Sequence, residues 1–100
     1  MDIEHLTGLA ENNDIDALRE LGRIYREGDG VEVDSVRAFE LLKKAADLGD
    51  IPSASSVGYM CISGEGTKID QSMAETYLRK ASEAGDSTAM CNLGYLFSSS

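Results

Sequence analysis

Three glycines, Gly22, Gly58 and Gly94, stand one fixed interval of 36 residues apart in this 100-residue chain. An internal period constrains the fold more than local propensity does, because each unit must bury its apolar face against a copy of itself. Asp14, Asp50 and Asp86 fall on the same register. So do the pairs Gly28/Gly64, Gly30/Gly66, Asp34/Asp70, Ala38/Ala74, Leu42/Leu78, Lys44/Lys80, Ala45/Ala81 and Gly49/Gly85. The chain is therefore an array. Stacked units of this kind imply a solenoid whose surface binds a partner, and the sequence carries no comparably strong sign of chemistry.

The period divides the chain into one repeat over residues 17–52, a second over 53–88, and the first helix of a third over 89–100. Residues 1–16 align with the end of a preceding unit and its link, since Leu6, Leu9 and Ala10 match Leu42, Ala45 and Ala46. Both ends read as half repeats of a single solenoid domain, in keeping with a piece of a longer protein.

Each unit reads as two helices. The first, over about Ile15 to Glu27, puts Ala17, Leu18, Leu21, Ile24 and Tyr25 on one arc at 3.6-residue spacing, matched by Ala54, Val57, Met60 and Cys61 and by Met90, Leu93, Leu96 and Phe97. A mid-helix glycine costs about 1 kcal/mol against alanine, so its recurrence at 22, 58 and 94 predicts close approach of a neighbouring helix. Gly28 and Gly30 end that helix with positive φ, and Asp34 caps the next. The second helix, about Ser35 to Leu48, turns Ala38, Leu41, Leu42, Ala45 and Leu48 inward. The links Asn13-Asp14, Gly49-Asp50 and Gly85-Asp86 are short enough to hold successive helices antiparallel.

The runs Leu-Gly-x-x-Tyr (21–25), Gly-x-Gly-Val-x-x-Asp (28–34) and Lys-Ala-Ala-x-x-Gly-Asp (44–50) resemble the Sel-one-like repeat, a relative of the tetratricopeptide repeat, over nearly the whole chain. The resemblance implies an all-α, right-handed α-α solenoid of antiparallel helix pairs, with the first helices lining a concave face. It also implies an adaptor rather than an enzyme. Repeat two departs from the pattern with Cys61 at the place of Tyr25, Thr67 for Val31 and Glu75 for Phe39, which predicts looser packing there. Some cysteine-rich bacterial relatives are linked to penicillin binding, a hydrolase-type activity, but their paired cysteines are absent here.

Eighteen acidic against nine basic residues give a net charge of −9, which repels phosphate backbones and anionic membranes and excludes nucleic acid as the expected partner. No apolar run approaches a membrane span and no secretory signal opens the chain, so a reducing, cytosol-like setting is expected and the compartment stays open. Cys61 and Cys91 occupy different repeat positions and read as free thiols. His5 stands without an acid-base pair, His5 and the two cysteines have no ligand spacing, and the Gly-x-Gly turns lack a preceding strand and a Gly-Lys-Ser ending. Neither catalysis, metal nor cofactor is expected.

Candidate binding residues come from the first helices. Arg19, Arg23 and Arg26 lie at i, i+4 and i+7 opposite the buried arc, with Ser55, Tyr59 and Ile62 at their places in repeat two and Tyr95 in repeat three. Arginine and tyrosine are common interface anchors. The stripe predicts capture of a protein or peptide segment, with an acidic one suited to the guanidiniums; in the bland reading Arg23 merely pairs with Glu20 and Glu27. The alternative is a self-associating fragment that stacks through exposed repeat ends.

Overall fold

Five aspartates on the repeat register set the helix starts. The carboxylates of Asp14, Asp34, Asp50, Asp70 and Asp86 each accept a hydrogen bond from the backbone N–H three residues on, at Ala17, Arg37, Ser53, Met73 and Ala89. Each such cap is worth about 1 kcal/mol by satisfying an orphan first-turn donor. The computed structural model describes residues 2–98. Met1, Ser99 and Ser100, which fall in the terminal half repeats drawn above, lie outside the described residues.

The described residues form α1 (Ile3–Glu11), α2 (Ile15–Glu27), α3 (Ser35–Asp47), α4 (Ile51–Ser63), α5 (Gln71–Glu83) and α6 (Ser87–Ser98), with no strand among them. Helices α2 and α4 end at Gly28 (φ 73°) and Gly64 (φ 76°), whose N–H groups return to the carbonyls of Ile24 and Met60. Left-handed backbone costs glycine nothing, which explains the recurring Gly-x-Gly. At the tighter links the same geometry falls to Gly49 and Gly85, and at the first link to Asn13, at φ 63°.

Sequence neighbours are neighbours in space: α2 packs on α3, α3 on α4, α4 on α5 and α5 on α6, with α1 against α2. The result is an elongated body of 41 × 25 × 18 Å. Its core is continuous because α3 serves two sides. Ala45 joins Leu6, Ala10, Ala17, Leu18, Leu21 and Ile24, whereas Ala38, Phe39, Leu42 and Ala46 join the buried residues of α4 and α5.

Gly22 and Gly58 mark the close approach of each first helix to the second helix after it. A methyl group added at Gly22 would lie 2.6 Å from Leu42 Cγ, and one at Gly58 would collide with Leu78 in the same way. The neighbour that demands glycine is thus the leucine of the following helix. Among the described residues nothing lies within 4 Å of the equivalent position at Gly94.

The close approach expected at Gly94 is thus not seen, and two further expectations change. Leu48 is 46% exposed rather than inward, because it sits past the last turn of α3 as its C-cap. Repeat two is closed rather than loose. Cys61 fills the place of Tyr25 while wholly buried, as are Val57, Met60, Ala74, Leu78 and Ala81 around it. Burial, with the Asp70 carboxylate second, pushes the Cys61 thiol up, so it stays protonated. Glu75, at the place of Phe39, turns to the surface and pairs with Arg79.

Across the second helices, Tyr77 donates its hydroxyl to Asp47 Oδ1 at 2.5 Å, tying α5 to α3. That bond holds the Asp47 carboxyl below its usual range, and burial followed by Asp47 raises the Tyr77 phenol.

Two outcomes test this account. Gly58→Ala should be less stable, since overpacking of about 1–3 kcal/mol outweighs the helix-propensity gain of about 1 kcal/mol, while Gly94→Ala should be neutral or up to about 1 kcal/mol more stable. Equal urea midpoints for the two variants would remove the argument. Tyr77→Phe should bring the Asp47 titration, followed by carboxyl NMR, back up toward the ordinary carboxylate value. Because the folded pKa is depressed, this link stabilises above the unfolded pKa and is lost as pH falls through the folded one. Wild type and variant should therefore differ in stability at neutral pH and converge in acid.

Candidate functional site

The first helices carry the candidate residues, and helical spacing brings Arg19, Arg23 and Arg26 of α2 to one edge of a groove against α4. The groove encloses about 200 Å³, with the three arginines and Glu27 on one side, Pro52, Ser53 and Ser56 on the other, and Leu42 between them. Leu42 reaches the groove beside Gly22, which offers no side chain to cover it.

None of the three guanidiniums stands alone. Arg19 donates to Asp50 at 2.6 Å and to Asp16 at 2.7 Å, the Asp50 side chain being only 8% exposed. Asp50 also caps α4 through Ser53 N–H and accepts the Ser53 hydroxyl. Arg19 therefore completes the set of donors around a buried carboxylate and ties the first unit to the second. Arg23 is held by Glu20, Glu27 and Asp29. Its hydrogen bond holds the Glu20 carboxyl below the usual range, and Glu20 then Glu27 push the guanidinium further up, so both stay charged across ordinary pH. Arg26 bonds Glu65, in the turn after α4, at 2.7 Å, and its guanidinium lies 5.6 Å from the centroid of the Tyr59 ring.

The other candidates divide. Tyr59 is 44% exposed and Tyr95, one period on, is 61% exposed. Ser55 belongs to the buried set instead: it is 5% exposed, and its Oγ has no hydrogen-bond partner among the described residues. Ile62, read as an exposed aliphatic, is half-buried against the second core. Both sit where repeat one has a long arginine, and short or apolar side chains there fold into the helix contact instead of reaching solvent.

The residues that sequence reasoning missed are acidic. Glu20 and Glu27 were legible as i−3 and i+4 partners of Arg23. Asp50 read only as a cap, and Glu65 as a turn residue, because their arginines lie 31 and 39 positions away. A charge complement at one period plus three was the available signal for Arg26 and Glu65.

Larger hollows lie outside this groove. One of about 820 Å³ beside α1 and α2 carries five carboxylates (Asp2, Asp14, Asp16, Glu20 and Asp29) against Arg19 and Arg23, and one of about 530 Å³ spans α1 and α3 over Leu18, Leu21 and Tyr25. Cys61 is buried and Cys91 exposed, both as free thiols. Among the described residues no group of three or more His, Cys, Asp or Glu side chains is placed to hold a metal ion. Nor is any helix among them long and apolar enough to cross a membrane.

The two kinds of ion pair should separate on mutation. Arg19→Ala should lower stability by about 1–3 kcal/mol by leaving Asp50 short of a donor, whereas Arg23→Ala, in exposed pairs, should change it by less than about 1 kcal/mol. Urea denaturation of both variants checks this, and similar losses would show that Asp50 does not depend on Arg19.

The Sel1 repeat family model matches residues 15–50, 51–86 and 87–99. Among solved structures the chain is similar to a Sel1 repeat protein from Oxalobacter formigenes, with 32% identity and a TM-score of 0.88 over 91% of this chain and 26% of that one. It is also similar to a protective antigen of uropathogenic Escherichia coli strains displaying an SLR fold, with 30% identity and a TM-score of 0.92 over 96% of this chain and 21% of that one. A third likeness is to Helicobacter pylori cysteine rich protein B, with 27% identity and a TM-score of 0.81 over 88% of this chain and 66% of that one. The chain thus spans about a quarter or less of the first two relatives and less than two thirds of the third. No curated protein matches it. Helix pairs repeating every 36 residues, glycines that seat leucines, and family matches over residues 15–99 make this chain a member of the Sel1 repeat family, an all-α, right-handed solenoid of antiparallel helix pairs.

Proposed function

We propose that the protein is a non-catalytic adaptor that holds a segment of another protein on the face formed by α2, α4 and α6. Sel1 repeats are protein-interaction modules, and the face is this chain's own contribution. The observation that carries the reading is the pair Tyr59 and Tyr95, one repeat apart on the first helices and 44% and 61% exposed. Large amphipathic rings with this much exposed area at equivalent positions supply contact surface at low side-chain entropy cost. Arg23 and Arg26 line the groove between α2 and α4, and Arg26 stacks on Tyr59. Ser55 and Ile62 support the face from beneath.

A second reading has its own observation. Helix α6 exposes Met90 (50%) and Phe97 (51%), and nothing seats on Gly94 as Leu42 and Leu78 seat on Gly22 and Gly58. Chains that associate through α6 would cover this apolar surface.

The adaptor reading is tested by affinity capture from the source lysate with wild type and a Tyr59→Ala/Tyr95→Ala variant shown by circular dichroism to keep its helicity. Arg19 is left in place because it holds Asp50. Partners captured by wild type and lost by the variant are the expected result, and identical partner sets would sink the reading. Light scattering across a concentration series separates the alternative, since association through α6 should disappear when a polar capping helix is appended after it.

A further inference from the structure

We infer that the hollow between α1 and α3 is a docking site for a tyrosine side chain of another protein, held with its ring beside Leu41 and its hydroxyl donated to Glu11. The site lies apart from the first-helix face. It shares no lining residue with the groove between α2 and α4, and it does not rest on the reading that places a partner there.

The occupant is read from the repeat itself. One unit further along, Tyr77 of α5 packs against the core around α4 and donates its hydroxyl to Asp47 Oδ1, at the end of α3, at 2.5 Å. Both members of that contact have counterparts 36 residues earlier, Leu41 for Tyr77 and Glu11 for Asp47. Glu11 keeps a carboxylate at the end of α1, on a side chain longer than that of aspartate. Leu41 brings neither ring nor hydroxyl, and about 530 Å³ stays open between the two helices. That volume falls within the roughly 300–1,000 Å³ of ordinary ligand pockets. The first unit thus retains the acceptor and lacks the group that fills the equivalent space in the next.

The walls suit an aromatic ring. Ala10, Tyr25 and Leu41 line the hollow, and the Arg37 guanidinium lies 4.9 Å from the centroid of the Tyr25 ring. A second ring placed here meets aliphatic carbon, an aromatic neighbour and a cation, all favourable contacts for it. The surrounding charges select a neutral donor. Three carboxylates, Glu11, Asp34 and Glu40, stand against Arg37 and Lys44. Asp34 is engaged as the cap of α3, whereas Glu11 is exposed, and a carboxylate has about four acceptor sites. A phenol hydroxyl satisfies such an acceptor, while a phosphotyrosine would set further negative charge beside it. The source follows from the depth. Tyr77 is only half-buried in the equivalent place, so a free phenol gains little from partial enclosure. A tyrosine within a chain adds the contacts of its neighbours with the rim.

The intact chain would be followed by amide NMR during titration with the peptide Gly-Ser-Tyr-Ser-Gly, its phenylalanine and phosphotyrosine counterparts, and p-cresol. Shifts at residues around the hollow are expected, with the tyrosine peptide binding about threefold to tenfold more tightly than the phenylalanine one. Glu11→Ala should erase that preference. Leu41→Tyr, which supplies the ring from within as Tyr77 does, should remove the shifts while circular dichroism shows the helices kept. Should that variant fail to fold, Glu11→Ala, at an exposed position, carries the test. The inference is overturned by an absence of shifts around the hollow, by equal affinity of the tyrosine and phenylalanine peptides, or by a preference that survives Glu11→Ala. Tighter binding of the phosphotyrosine peptide also overturns it, and p-cresol binding as tightly as the tyrosine peptide would assign the site to a free phenol instead. Tyr59→Ala/Tyr95→Ala should bind the tyrosine peptide as wild type does, so this site and the adaptor reading can each fail alone.

Discussion

Leucine seated on glycine sets the spacing of this molecule. Leu42 lies over Gly22 and Leu78 over Gly58 at distances that leave no room for a methyl group, so each first helix and the second helix after it are held apart by the leucine side chain alone. The alanines on the same helices, Ala38, Ala45, Ala74 and Ala81, are wholly buried for the same reason. Close pairs then stack because Leu42, while seated on Gly22, also belongs to the core around α4. Each unit contacts only its neighbours, so stability accrues unit by unit along the axis.

The spacing also governs the surface. A glycine in the middle of α2 leaves Leu42 at the bottom of a groove whose walls are polar, and the helix repeat places Arg19, Arg23 and Arg26 along its edge. What the edge presents is decided by contacts between units. Arg19 is absorbed by a buried cap of the next helix, Arg23 by acids of its own helix and loop, and Arg26 by the next unit's turn and tyrosine. Three cations that look available in a linear stripe end as members of ion pairs in which anions are in excess. Buried and open members therefore divide within one stripe, with Arg19 tied to the buried Asp50 and Tyr59 and Tyr95 exposed.

Repeat two shows how a solenoid accommodates departures from its pattern. Cys61 replaces a tyrosine yet is completely enclosed, and Glu75 replaces a buried phenylalanine by turning outward to Arg79. Tyr77, which stands where repeat one has Leu41, reaches back to Asp47 and ties α5 to α3. The equivalent space between α1 and α3, where Leu41 has no hydroxyl to offer, remains an open hollow.

Much of the fold was legible in the residues. The period followed from Gly22, Gly58 and Gly94, the helix starts from five aspartates, the turns from Gly28, Gly49 and Gly64, and the buried faces from 3.6-residue spacing. These features are local or exactly repeated, so backbone geometry alone determines them. Less of the site was legible. The exposure of Leu48, the burial of Ser55 and Ile62, and the pairing of Arg19 with Asp50 and of Arg26 with Glu65 depend on how helices from different units lie against one another. The sequence by itself determined the array, its helices and the register of its candidate face. Only the tertiary structure decided which side chains on that face remain open and what charge it carries, because long, flexible side chains find partners across units at separations that no helical period encodes.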